Sequence, residues 1–78
     1  MPNLKQLLVD MVRAIVDKPD EISVTETVND DNILFEISVA ESDMGKVIGR
    51  HGKNAKAIRS LMKTAANADG KRVTVDIK

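Results

Sequence analysis

Apolar residues first recur at Leu4, Leu7, Leu8, Met11, Val12, Ile15 and Val16. These positions follow i, i+3, i+4, i+7, i+8, i+11 and i+12, so they lie on one stripe of a helix. Asn3 stands where a cap belongs, with Gln6 three places on, and Pro19 disfavours helical geometry in Lys18. The spacing therefore predicts a helix from about residue 4 to about residue 17. Charges of both signs share its polar face, which favours packing on a core over lying on a membrane.

The period then changes from that of a helix to that of a strand. Ile22, Val24 and Val28 alternate with Ser23, Thr25 and Thr27, and Ile33, Phe35, Ile37 and Val39 alternate with Leu34, Glu36 and Ser38. Two half-buried strands are expected, joined as a hairpin by the turn residues Asn29-Asp30-Asp31-Asn32. Ser42 and Asp43 offer caps to a short helix over Met44 to Ile48. Ala55, Ile58, Leu61, Met62 and Ala65 return to helical spacing, with Lys53, Lys56, Arg59 and Lys63 between them. Asn67 to Gly70 stops that helix, and Val73, Val75 and Ile77 alternate with Thr74 and Asp76 as a last strand. The order αββααβ belongs to the α+β class. One domain over residues 1–78, with a three-stranded sheet covered on one face by three helices, would bury every stripe.

Composition sets limits on what such a domain does. A chain of 78 residues has room for one small core, and with no cysteine and a single histidine neither disulfides nor a metal site staples it. The sequence suits a reducing cytoplasm. Leu4 to Val16 is interrupted by Lys5, Gln6, Asp10 and Arg13, so neither a signal peptide nor a membrane-inserted helix is expected. The formal charge of zero conceals an asymmetry: residues 1–43 hold three Lys or Arg against ten Asp or Glu, and residues 44–78 hold nine against two. A basic half of this kind points toward an anionic partner, the plain alternative being a scatter of solvated charge.

The basic half contains Val47-Ile48-Gly49-Arg50-His51-Gly52-Lys53, two glycines three residues apart with cations between and after them. Glycine is favoured where the backbone turns through positive φ or where a ligand lies against it. Two phosphate-binding loops are excluded by register. A Walker loop needs Ser or Thr after Gly52-Lys53, where Asn54 stands, and a glycine at Val47; a dinucleotide fingerprint also needs a glycine at Val47, directly after a strand. His51 has no carboxylate and nucleophile readable around it, so acid-base catalysis is not indicated and no enzyme is expected. Phe35 is the only aromatic and sits at an inward strand position, which argues against modules that stack bases on exposed rings. Val47, Ile48 and Ile58, with Ile37 and Val39, could instead floor an aliphatic groove, or belong simply to the core.

Lys46 to Lys53, spanning the glycine turn that joins two helices within αββααβ, resembles the heart of a KH domain, and the element order resembles its type II form. A free-standing domain of this size is similar to the KhpA family of small bacterial RNA-binding proteins. The resemblance implies single-stranded RNA held by the Gly-x-x-Gly loop, with Lys46, Val47, Ile48, Gly49, Arg50, His51, Gly52, Lys53, Lys56 and Arg59 as its contacts. It further implies a cytoplasmic RNA-chaperone or post-transcriptional role, self-association or association with the larger KH protein KhpB, and a link to cell-wall biogenesis and cell shape. No cofactor or metal is implied. Ala55 departs from the larger aliphatic residue that many KH domains carry there. The competing reading is a KH fold that serves as a protein interaction or dimerisation module.

Overall fold

Leu4, Leu8 and Val12, spaced one turn apart, are all buried, and around them the rest of the core assembles. The computed structural model describes residues 3–78; Met1 and Pro2 of the expected domain lie outside the described residues. The elements are α1 (Leu4–Arg13), β1 (Ser23–Asn29), β2 (Asn32–Ser38), α2 (Met44–Ile48), α3 (Lys53–Ala68) and β3 (Arg72–Ile77), with short 3-10 turns at Pro19–Glu21, Glu41–Asp43 and Arg50–Gly52.

The sheet has the order β1-β2-β3, with β1 and β2 antiparallel and β2 and β3 parallel. Asp30, at φ +56, lets a two-residue turn close the hairpin, so that Asn29 faces Asn32 and Ser23 faces Ser38. β2 is the central strand and supplies Ile33, Phe35 and Ile37 to the core, opposite Val73, Val75 and Ile77 of β3. From α3 come Ala55, Ile58, Met62 and Ala66, and α2 adds Val47. All three helices pack on this one face, and Leu34, Glu36, Thr74 and Asp76 line the other, which follows from the alternation of side chains along a strand. The expected α+β architecture is the one observed.

Two local expectations differ from the structure. The first helix ends at Arg13, four residues short of the expected limit, although Ile15 and Val16 still pack against the core. Beyond Arg13 the backbone donors find other partners: Ile15 N–H bonds to the Val12 carbonyl at 3.1 Å, and the N–H groups of Asp17 and Lys18 bond to the Asp43 carboxylate at 3.1 and 3.0 Å. β1 is also less buried than its alternation suggests. Val24 is half-buried, but Val28 is 61% exposed, because the helices cover β2 and β3 and leave most of this edge strand open.

Candidate nucleic-acid interface

α2 stops at Gly49, whose N–H donates to the Gly45 carbonyl at 2.8 Å, and the chain then turns sharply into α3. Gly49 has φ +77 and ψ 171, and Gly52 has φ +75 and ψ 15, so both glycines occupy conformations that side chains disfavour. The N–H of Gly52 closes the turn on the Gly49 carbonyl at 3.1 Å. His51, between them, is also left-handed at φ +58 and ψ +24, which for a residue with a Cβ stores strain.

The two glycines serve different ends. A Cβ on Gly49 would meet Asn54, and the Asn54 side chain in turn donates to the Lys46 carbonyl at 2.7 Å, locking the end of α2 onto the first turn of α3. At Gly52 a Cβ would meet nothing within 4 Å, so that face of the loop is open. Gly52 also caps α3 without a side-chain acceptor; the Lys53 N–H turns back to the Arg50 carbonyl, and the positive end of the helix dipole lies at the loop.

The cations singled out in the sequence divide into two groups. Arg50, His51, Lys53 and Lys56 are exposed around the loop and, among the described residues, form no ion pair. Lys46 is paired with Asp17, and that hydrogen bond raises its pKa above the ordinary 10.5. Arg59 donates its Nε to the Val75 carbonyl at 3.2 Å, which ties α3 to the outer edge of β3. The apolar residues divide as well. Val47, Ile37 and Ile58 are core, Val39 is half-buried, and Ile48, 40% exposed, is the large aliphatic side chain offered to solvent beside the loop.

Asp43, at the start of α2, is the one buried charged residue among those described. The sequence assigns it to capping α2, yet it makes no cap hydrogen bond and instead accepts from Asp17 and Lys18 N–H. Burial pushes its carboxyl pKa up, but the two backbone donors and the nearby Lys46 and Lys18 charges outweigh that, and it lies below the ordinary value. Through Asp43 and the Lys46–Asp17 pair, the helix that leads into the glycine turn is fastened to the connection between α1 and β1. Asn54 and Asp43 are thus the positioning residues that sequence reasoning missed. Asp43 had a signal in its position before an apolar helix, but its partners lie 25 and 26 residues away in the chain.

The family described as KhpA/KhpB, KH domain matches residues 5–77. The chain is 49% identical over 74 residues to the RNA-binding protein KhpA of Clostridium acetobutylicum, a match that covers 95% of this chain and 99% of that one. It is 42% identical to KhpA of Clostridium perfringens, again over 95% and 99% of the two chains. KhpA of Chlamydia trachomatis is 38% identical, covering 95% of each. Among solved structures, a variant of Aquifex aeolicus Era bound to GDP.AlF4- superposes with a TM-score of 0.59 at 20% identity. The superposition covers 99% of this chain but 31% of Era, so the likeness is one of fold.

Proposed function

The chain belongs to the KhpA/KhpB KH-domain family, and from that premise we propose that it binds single-stranded RNA through the Gly49–Gly52 loop. The observation that carries this reading is the loop itself: two glycines at positive φ, an open face at Gly52, and Arg50, His51, Lys53 and Lys56 exposed around it. A sugar-phosphate backbone lies against the glycines, the positive end of the α3 dipole and the cations hold its phosphates, and Ile48 offers an apolar surface to a base. The curated relatives are named as RNA-binding proteins, not as enzymes, which supports a binding role without chemistry.

The biological part of the proposal is an RNA chaperone or post-transcriptional regulator in the cytoplasm, bearing on cell-wall biogenesis and cell shape. One such site holds about four nucleotides, which limits affinity and sequence information, so selectivity calls for a second RNA-binding unit. That unit is a second copy of the chain or the KH protein KhpB. Sedimentation as a strict monomer, with no protein recovered by affinity capture from cells of the source organism, would remove this part of the reading.

The site is tested by changing Arg50 and His51 together to Asp, with both glycines intact. Both side chains are exposed, and Asp, like His, is among the residues best tolerated in the left-handed conformation of position 51, so the variant should fold and lose RNA in a filter-binding assay. Retention of RNA by the folded variant would falsify the loop as the binding site.

A further inference from the structure

α3 carries more positive charge than the glycine loop uses. Lys56, Ser60, Lys63 and Asn67 follow at i, i+4, i+7 and i+11, so they share one exposed flank of the helix, running away from the loop. This flank ends at a cleft of about 360 Å³ lined by Asn32, Lys63, Asn67, Arg72, Val73 and Thr74, where the last turns of α3 meet the first residues of β2 and β3. Lys63 and Arg72 are exposed and form no ion pair among the described residues. At its far side the cleft borders the hairpin turn, where Asp30 and Asp31 approach Arg72 and the favourable field for an anion ends.

Resting on the loop reading above, we propose that an RNA strand held at Gly49–Gly52 continues along the Lys56–Lys63 flank and places a later phosphate in the cleft between Lys63 and Arg72. Lys63 lies about 16 Å along the helix axis from Gly52, so a strand whose four nucleotides are centred on the loop must continue past them to reach it. The continuation therefore concerns longer RNA alone. Lys56 stands between the two places and bridges them with charge. The cleft is of ligand size, and Asn32, Asn67 and Thr74 line it beside the two cations. A single strand running from one cationic site to the other is the occupant that the charge and the continuity of the surface select.

A structural role competes with this one, because cations beside the last turns of a helix also offset its dipole. The two roles separate in an experiment that compares the wild type with the Lys63→Glu/Arg72→Glu variant. Binding is measured against a tetranucleotide and an oligouridine of about 12 nucleotides, within the length that single-strand sites commonly occupy. The expected result is unchanged affinity for the tetranucleotide and about tenfold or greater loss for the longer strand. The logarithmic salt slope for the longer strand should also fall by about 0.7, from the one phosphate held in the cleft. If the variant keeps the wild-type slope and affinity for the longer strand, with or without a lower unfolding midpoint, the cleft does not bind RNA and the cations are structural. If the wild type itself binds neither RNA, the loop reading falls first and this proposal with it.

Discussion

Gly49 and Asn54 are packed so closely that a Cβ on the glycine would stand 2.7 Å from the Asn54 Cγ and 2.9 Å from its backbone nitrogen. The side chain could swing aside only by giving up its hydrogen bond to the Lys46 carbonyl, and the backbone nitrogen, fixed in α3, could not move at all. Gly49 is therefore required by packing as well as by its positive φ, whereas Gly52 is required by φ alone.

Gly49→Ala should accordingly destabilise the domain by about 2–4 kcal/mol, combining left-handed strain with overpacking. Gly52→Ala should cost about 1–2 kcal/mol, from strain only. The order reverses for RNA. A methyl at Gly52 stands on the open face, where the strand is proposed to lie, so this milder variant should lose affinity while it remains folded. Urea unfolding and filter binding on both variants check the pair; equal stabilities would contradict the close packing of Gly49 on Asn54.

The core of this fold was legible because its apolar stripes are local: Leu4, Leu8 and Val12 repeat at one period and Ile33, Phe35 and Ile37 at another, and each set is buried as its period requires. The glycine turn was legible for the same reason, since Gly49 and Gly52 lie within four residues and both take the positive φ that the pattern implies. What escaped reading depends on partners distant in the chain. α1 ends at Arg13, and the N–H groups that follow turn to Asp43, a carboxylate 25 and 26 residues further on. Lys46 and Arg59 look like free cations in sequence, and only the folded chain brings Asp17 to one and the Val75 carbonyl to the other. Val28 fits a half-buried strand, but whether a helix covers that end of β1 is decided by the packing of the whole face.

Leu8 is fully buried in the middle of the α1 stripe. Leu8→Ala should lower stability by about 2–5 kcal/mol, a large share of what a domain of this size possesses. A urea midpoint equal to that of the wild type would mean that α1 is not part of the cooperative core.

Asp43 should make the domain sensitive to acid. Its carboxyl pKa is depressed in the folded state below the ordinary 3.8, so the stability it contributes is present above that value and is lost as the pH falls through the folded pKa. Asp43→Asn keeps the shape but removes the charge and one of the two acceptors for Asp17 and Lys18 N–H. The variant should unfold at lower urea near neutral pH, and its stability should fall less steeply than that of the wild type below about pH 4. Parallel acid limbs for the two proteins would show that Asp43 is not held as a carboxylate by these donors.

His51 tests the loop conformation without reference to RNA. At φ +58 and ψ +24 it pays the penalty of a left-handed residue with a Cβ, about 1–3 kcal/mol. His51→Gly removes that strain, while the added freedom of the unfolded chain takes back about 0.5–1 kcal/mol, so its stability should match or slightly exceed that of the wild type. His51→Val, with a branched Cβ, is a poorer fit to the same backbone and should be less stable than the glycine variant by about 2 kcal/mol or more. Comparing the two by urea unfolding isolates the backbone, since both lack the imidazole and the site is exposed. Glycine and valine variants of equal stability would mean that position 51 does not hold a left-handed conformation in solution, and that the turn from α2 into α3 takes another shape.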